Sequence, residues 1–317
     1  MRAGCYIQCV AKKKQRYRIR NWHDYNKALV RRGSLTLWID HHALAAWINA
    51  DPPHGRGRPC TYSDLAITCM LMLRAVYHLP LRATQGLAAS VIQLLQLTVK
   101  VPHYSTLSRR AAHLKVPLPS SKPGAGLHLV VDATGMKIYG EGEWRVRQHG
   151  WSKRRAWKKL HLGVDEQSGI VMACEMSLRR KTDGRVLPCL LRQVEGAIRQ
   201  VSADGAYDSQ ECYRAIGKRG ARAIIPPRKG STISGEEGLE QRDENVRGIR
   251  RLGRKGWKRA SGYHRRSLAE TTIYRIKTIF GDRLQARRTE RQAGELRIRC
   301  MALNRMTELG MPDSYAA

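Results

Sequence analysis

Acidic residues are scarce in this chain of 317 residues. Only 26 Asp and Glu stand against 58 Lys and Arg, which gives a formal net charge of +32. The basic residues run through the whole sequence, in KKKQRYRIR near the start, RQHGWSKRRAWKK midway and RGIRRLGRKGWKRA later. Because a folded protein tolerates such self-repulsion best beside a polyanion, the charge predicts contact with nucleic acid rather than a merely soluble basic surface.

Long apolar runs are also missing. The longest apolar stretch, around Leu65 to Val76, carries Arg74 and is too short to span a bilayer. Residues 1–10 have one charge and no apolar core of secretory length. We therefore expect no membrane residence, no signal peptide and a cytoplasmic location.

Paired cysteines are absent as well. The eight cysteines form no CxxC pair and have no partnered histidine spacing, which fits reduced, mostly buried thiols better than disulfides or zinc. A hydrophobic content of 42% in a chain of this length suffices for one sizeable core and a smaller satellite domain.

A segment rich in Pro, Ser and Gly, VPLPSSKPGAG, divides the chain near residue 120. We expect a small all-α, DNA-binding region over residues 1–120 and an α/β domain over residues 121–317. The front region reads as five short helices, over Tyr25–Arg32, Thr36–Ile48, Ser63–His78, Leu81–Ser90 and Ser105–Leu114.

The last of these helices lies in HYSTLSRRAAHLK. Ser105 is a plausible N-cap, and Arg109 and Arg110 follow on the next turns. The pattern is typical of a helix-turn-helix whose last helix enters a major groove. A three-helix bundle with a basic surface explains the same pattern.

Two acids are expected at strand ends after the segment near residue 120. LHLVVDAT predicts a buried strand that ends on Asp132, and KLHLGVDE and IVMACEMSL predict a hairpin. Thr182 and Asp183 are placed to cap a helix over residues 184–199. QVSADGAYDS then predicts a fourth strand ending on Asp204, and ARAIIPP a fifth. Such acids either converge on a metal-binding cleft or simply cap the turns that follow.

The segment GYHRRSLAETTIYRIKTIFGD predicts a helix with one polar face. At about 100° per residue, Tyr263, Arg266, Glu270 and Lys277 fall within an arc of roughly 60°. The opposite face would be buried and consists of Leu268, Ala269, Ile273, Ile276, Ile279 and Phe280, with Gly281 suited to end the helix. Alternatively, the polar face is a solvated surface with an ordinary ion pair between Arg266 and Glu270.

Taken together, these motifs resemble a bacterial DDE transposase, close to the insertion sequence five family. The resemblance runs from about Lys12 to Leu309 and rests on VVDATGMKIYGEGEW, on ADGAYDS, and on Tyr263, Arg266, Glu270 and Lys277 with two, three and six residues between them. It implies a ribonuclease-H-like mixed sheet flanked by helices. It also implies that Asp132, Asp204 and Glu270 are the catalytic acids.

The resemblance further implies a chemistry. The three acids would bind two Mg²⁺ ions, with Mn²⁺ as a substitute, for hydrolysis at the ends of the transposon and joining of the 3′-hydroxyls to target DNA. Tyr263, Arg266 and Lys277 would contact DNA, with Arg266 either binding a phosphate or holding Glu270. The partners would be double-stranded DNA and further copies of the chain assembled on it, in the nucleoid of a bacterium. A nuclease of the same fold and an inactive DNA-binding relative are the alternatives.

Other residues are weaker candidates. His161, between two leucines on a strand, could face the site but is more simply a structural histidine, and Asp183 could approach the metals but more simply caps a helix. Aromatic residues interleaved with basic ones are suited to gripping distorted DNA or to packing; they are Trp144, Trp151 and Trp157 with Arg145, Arg147, Lys153, Arg154 and Arg155.

Overall fold

The computed structural model describes residues 17–39, 41–49, 60–114, 116–120, 126–138 and 157–316. The helices are α1 (Trp22–Arg31), α2 (Leu35–Trp38), α3 (His41–Ala45), α4 (Asp64–Val76), α5 (Leu81–Leu94), α6 (Tyr104–Arg110), α7 (Leu187–Gln193), α8 (Gln210–Gly217), α9 (Glu240–Ala260), α10 (Ser267–Phe280) and α11 (Thr289–Glu308). The strands are β1 (Tyr17–Ile19), β2 (Leu127–Ile138), β3 (Trp157–Asp165), β4 (Val171–Leu178), β5 (Ile198–Ser202), β6 (Arg222–Ile224), β7 (Arg283–Leu284) and β8 (Ser314–Ala316). Short 3₁₀ turns cover Gly184–Val186, Gly205–Tyr207 and Tyr263–Arg266.

The front of the chain is helical, with two departures from expectation. The helix expected over Thr36–Ile48 is split into α2 and α3, and β1 pairs antiparallel with β8, so the region before residue 120 is not all-α. Sequence patterns miss β1 because its partner strand lies at the far end of the chain. The cap of α6 also differs, since it is His103 whose ring accepts the backbone N–H of Ser105.

A six-stranded mixed sheet forms the centre of the molecule, in the order β4-β3-β2-β5-β6, with β7 also paired to β2. β3 runs antiparallel to its neighbours β2 and β4, whereas β5 and β6 run parallel to β2. β2 continues six residues beyond Asp132, so the expectation that this acid ends its strand was wrong. The extension forms because β3 keeps pairing with β2 as far as Lys137 and Trp157.

Alternate side chains of the central strands face two separate apolar layers. Val130 and Leu162 pack with α4, α10 and α11 on one face, and Leu129 and Val131 pack with α7 and α8 on the other. Burying each such side chain contributes about 1.5–3 kcal/mol. Since α4 belongs to the first layer, the helical front and the sheet share one core.

The helix that carries Glu270 is α10. Ala269, Ile273, Ile276 and Phe280 are buried against the sheet as the sequence predicts, and Gly281, with φ of +79°, follows the last turn. The preceding residues form a 3₁₀ turn rather than the first turn of the same helix.

Among the described residues, no single helix is long and apolar enough to cross a bilayer. α4 and α5 pass that test only as a pair bent by 110°, and residues 66–73 of α4 are buried in the core.

Candidate active site

Asp132 and Asp204 both follow the last register pair of β2 and β5. That pair is Val130 and Ser202, and each acid lies two residues further along its chain. Asp132 is still within β2, and its carboxylate contacts Arg266, which precedes α10. β5 ends at Ser202, so Asp204 lies beyond the strand that was expected to end on it, and its side chain caps the 3₁₀ turn over Gly205–Tyr207.

Arg266 joins Asp132 to Glu270. Its Nη1 lies 3.4 Å from Asp132 Oδ2, and its Nη2 forms an ion pair with Glu270 Oε1 one helical turn away. The side chains of Asp132 and Arg266 are 16% and 17% exposed, whereas that of Glu270 is 53% exposed. The structure thus brings Asp132, Arg266 and Glu270 together, with Glu270 on the exposed side.

The pKa of Asp132 is raised above its ordinary value. Burial is the main cause, and the negative charges of Asp204 and Glu270 add to it. The backbone N–H of Ala133, which donates to Asp132 Oδ1 at 2.8 Å, and the guanidinium of Arg266 act in the opposite direction. Three acids close enough to affect one another in this way favour a bound cation.

The three acids suit a divalent metal in their chemistry, because Mg²⁺ prefers hard oxygen ligands and takes only a few carboxylates. In the described part of the chain, however, no three His, Cys, Asp or Glu side chains stand close enough together to hold an ion. The guanidinium of Arg266 instead occupies the space between Asp132 and Glu270. By the chemistry of their side chains, Asp132, Asp204 and Glu270 are the residues that could hold a cation here.

Tyr263 was expected on the outward polar face, and it is buried instead. Its ring packs on Trp257 with centroids 5.9 Å apart, and the guanidinium of Arg266 lies 5.7 Å from the centre of the tyrosine ring. The Tyr263 ring thus makes a cation–π contact that stabilises the position of the Arg266 guanidinium. Lys277 lies two turns beyond Glu270 on α10 and is partly exposed. Contacts of these residues with DNA remain predictions.

The two arginines of α6 have different surroundings. Arg109 is exposed and lines a surface groove, together with Arg82 and Tyr104. Arg110 instead donates to the backbone oxygen of Tyr62 at 2.9 Å and forms an ion pair with Asp64, which ties α6 to the start of α4.

Arg82 is a candidate DNA contact that the sequence patterns missed. Its guanidinium lies 4.5 Å from the centre of the Tyr104 ring, beside Arg109 in the groove. Arg82 belongs to α5 and Tyr104 to α6, so only the packing of these two helices brings the pair together. The RATQG sequence around Arg82 carries no motif that would have identified it.

Asp183 does not cap a helix as predicted. The 3₁₀ turn and α7 replace the long helix expected over residues 184–199, and the Asp183 side chain makes no capping bond. Its carboxylate accepts a hydrogen bond from Lys159 Nζ at 2.7 Å, because the chain enters a tight turn in which the side chain points to β3.

His161 is fully buried on β3 and has a structural partner. Its Nε2 lies 2.7 Å from Ser177 Oγ, and burial lowers its pKa to about 4, so the ring is neutral at physiological pH. The simpler structural interpretation of this histidine fits these contacts.

The aromatic and basic cluster near residue 150 falls mostly outside the described residues, which applies to Trp144, Trp151, Arg145, Arg147, Lys153, Arg154 and Arg155. Trp157 is described and packs closely on Gly135, where an added Cβ would meet its ring at 3.2 Å. At this position the aromatic side chain is part of the sheet packing.

Comparison with known proteins gives matches to family models and to solved structures. Two family models, each described as a transposase DDE domain, match residues 30–141 and residues 123–305. Among solved structures, the chain is similar to a piggyBac transposase synaptic complex with hairpin DNA, determined by cryo-EM. That match covers 93% of this chain and 84% of the other at 12% identity, with a TM-score of 0.29, and a likeness so remote carries no argument about the site.

Proposed function

The chain belongs to the transposase DDE domain family, and on this premise we propose that it moves an insertion sequence by a cut-and-paste reaction. It binds the terminal inverted repeats of the element, cleaves the element's ends by metal-dependent hydrolysis, and joins the freed 3′-hydroxyls to target DNA. Its substrates are double-stranded DNA ends and a double-stranded target.

One observation carries the proposal: Arg266 links Asp132 on the central strand to Glu270 on α10, and the negative charge of Asp204, two residues after β5, also acts on Asp132. Elements far apart in sequence thus bring three acids close enough for the charges of Asp204 and Glu270 to act on Asp132. An ordinary surface ion pair between Arg266 and Glu270 would not involve a strand-borne acid that is mostly buried. The sheet order, with an antiparallel hairpin on one side of β2 and parallel strands on the other, supports a ribonuclease-H-like fold.

The reaction needs phosphodiester bonds to be exchanged without a covalent enzyme intermediate. Water hydrolyses one phosphodiester at the transposon end and frees a 3′-hydroxyl. This hydroxyl then attacks a target phosphodiester in line, forming a new P–O bond and displacing the 3′-oxygen of the target strand as a hydroxyl. Asp132, Asp204 and Glu270 would hold two Mg²⁺ or Mn²⁺ ions, which would supply stabilisation of the negative charge that develops on oxygen. Arg266 would turn from the acids to a DNA phosphate, for which a guanidinium is a good bidentate partner.

Other residues position the DNA. Tyr263 carries the turn from which Arg266 extends, and Lys277 is placed on the same side of α10 to contact the backbone of the transposon end. In the front region, Arg109 contacts the base edges or the phosphate backbone of DNA, and Arg110 holds α6 in place. The tyrosine, arginine, glutamate and lysine spacing supports placement near the insertion sequence five family.

Two further features follow from the proposed reaction. Joining two DNA ends requires at least two active sites, which favours a homo-oligomer assembled on DNA. The location would be the bacterial nucleoid, where the net charge of +32 favours binding to DNA.

A strand-transfer assay tests this function. The substrate is a labelled DNA end built from the inverted repeats that flank the gene, incubated with a supercoiled target plasmid and Mg²⁺. Joined products that are lost in Glu270→Gln support the proposal. Cleavage without joining would favour a nuclease of the same fold, and DNA binding without cleavage in either protein would indicate an inactive relative.

A further inference from the structure

Tyr207 presents a buried hydroxyl that has no partner in the described structure. The residue is 1% exposed, and its Oη makes no hydrogen bond with any described group. Leaving a buried hydroxyl unpaired typically costs about 1–3 kcal/mol. Tyr213, six residues later in the same apolar layer, differs in this respect, because its hydroxyl donates to the backbone oxygen of Ile225 at 3.2 Å.

Three acids act electrostatically on Tyr207. Burial raises the pKa of Tyr207 well above its ordinary value, and the negative charges of Asp183, Asp132 and Asp204 raise it further, in that order. The hydroxyl is therefore protonated and available to donate a hydrogen bond. Two of these acids belong to the candidate active site.

The backbone around Tyr207 fixes this arrangement. Tyr207 closes the 3₁₀ turn that Asp204 caps, and its N–H donates to the backbone oxygen of Asp204 at 3.1 Å. The turn that follows Asp183 packs directly against this segment, because an added Cβ on Gly184 would lie 3.0 Å from Cys212 Sγ and 3.2 Å from Ser209 Oγ. Tyr207 is thus held by its backbone to Asp204, and the Asp183 turn packs on the residues that follow it.

Asp183, unlike the other two acids, already has a close cation. Lys159 Nζ lies 2.7 Å from its Oδ1 and compensates its charge, and the same lysine donates to the backbone oxygen of Lys181. Asp204 has no ion pair with any residue that the structure describes, and Asp132 has only the longer contact with Arg266. Carboxylates without a close cation are the stronger hydrogen-bond acceptors.

We propose that Tyr207 is a positioning residue of the metal site, whose hydroxyl donates a hydrogen bond to the pair Asp132 and Asp204 when these acids turn to hold the cation. This inference rests on the proposed function. Hydrogen bonds from outside the ligand set orient metal-binding carboxylates, and their loss typically lowers metal affinity by 10–100-fold. The absence of a partner in the arrangement described fits a donor that is used only in the metal-bound form.

Mn²⁺ binding to the full chain tests the role of Tyr207. The free-ion signal in electron paramagnetic resonance gives the dissociation constant for wild type, Tyr207→Phe and Tyr213→Phe. Each substitution removes one hydroxyl from a tyrosine of the same layer and keeps the ring, so Tyr213→Phe is a matched control. Thermal unfolding of the same proteins without metal reports whether either hydroxyl has a structural role.

We expect Tyr207→Phe to bind Mn²⁺ 10–100-fold more weakly than wild type while unfolding at the same temperature or slightly above it. Tyr213→Phe should bind Mn²⁺ like wild type and unfold at a lower temperature, because it loses an existing hydrogen bond. Wild-type affinity in Tyr207→Phe, or a larger loss of stability than in Tyr213→Phe, would overturn the inference. If wild type shows no Mn²⁺ site that Asp132→Asn removes, the proposed function itself fails, and the role of Tyr207 with it.

Discussion

Arg266 lies 3.4 Å from the carboxylate of Asp132, although 134 positions separate the two residues in the sequence. The same guanidinium also pairs with Glu270. One positive side chain thus holds together two acids that the family resemblance assigns to metal binding. Its position has consequences for metal affinity, for stability and for DNA binding.

Replacing Arg266 should strengthen the binding of metal to the free protein. In Arg266→Gln, a divalent cation no longer competes with a guanidinium for Asp132 and Glu270, so we expect about tenfold tighter binding of Mn²⁺ in a titration without DNA. DNA cleavage should nevertheless fall, because the phosphate contact is lost.

Arg265→Gln is the control for this change. Arg265 is the neighbouring residue, is 66% exposed, and pairs with Glu166 in the β3–β4 hairpin. Its replacement should leave the Mn²⁺ affinity unchanged. Weaker Mn²⁺ binding by Arg266→Gln than by wild type would mean that the guanidinium assembles the acids rather than competing with the metal.

Neutralising Asp132 should stabilise the metal-free protein. The raised pKa means that the fold favours the protonated carboxyl, so the folded state gains stability as the pH falls through that pKa, and the charged form costs stability at neutral pH. Asp132→Asn should therefore raise the midpoint of thermal unfolding at pH 7 by a few degrees. Its advantage over wild type should shrink as the pH is lowered.

Asp282→Asn, in contrast to Asp132→Asn, should lower the midpoint of thermal unfolding at pH 7. Lys137 Nζ lies 2.6 Å from Asp282 Oδ2, and this hydrogen bond is the main reason why the pKa of Asp282 is lowered. The charged form is therefore favoured by the fold, and its stabilisation is lost as the pH falls through the lowered pKa.

The prediction for Asp132→Asn has a clear contrary outcome. If this substitution lowers the midpoint of thermal unfolding at pH 7, the contacts of Asp132 with Ala133 and Arg266 outweigh the cost of burying its charge.

Substitutions of Arg109 and Arg110 should have different effects, the first on DNA binding and the second on the free energy of unfolding. Arg109→Ala removes an exposed charge, and we expect weaker binding to duplex DNA and a dependence of log K on log salt that is shallower by about one. Arg110→Ala breaks the contacts with Tyr62 and Asp64 and should lower the free energy of unfolding by about 1–3 kcal/mol. An unchanged salt dependence in Arg109→Ala would remove α6 from the DNA-binding surface.

Periodic patterns were enough to predict much of the fold. The buried face of α10 and the hairpin of β3 and β4 follow from the local periodicity of apolar and polar residues, and the structure contains both. The mixed α/β character follows for the same reason. β2 runs past Asp132 through ATGMKI, which has no continuous apolar run, and a partner strand rather than its own composition keeps it extended.

Non-local contacts could not be predicted from such patterns. The pairing of β1 with β8 and the contact between Arg266 and Asp132 join distant parts of the chain. Asp183 satisfies the local pattern of a helix cap as well as that of an ion pair with Lys159, so only the structure distinguishes them. The unpartnered hydroxyl of Tyr207 leaves no trace in the sequence, because a tyrosine within ADGAYDS is equally suited to ordinary packing.

The most direct test of the central claim, that the acids bind a divalent metal, is the metal dependence of DNA cleavage in Asp204→Cys. Sulfur is a poor ligand for Mg²⁺ and a better one for the softer Mn²⁺. Asp165→Cys, in the β3–β4 hairpin, is the control and should match wild type with both metals. We predict that Asp204→Cys cleaves at least about 100-fold more slowly than wild type in Mg²⁺ and recovers at least about tenfold in Mn²⁺. Wild-type cleavage by Asp204→Cys in Mg²⁺ would contradict the account.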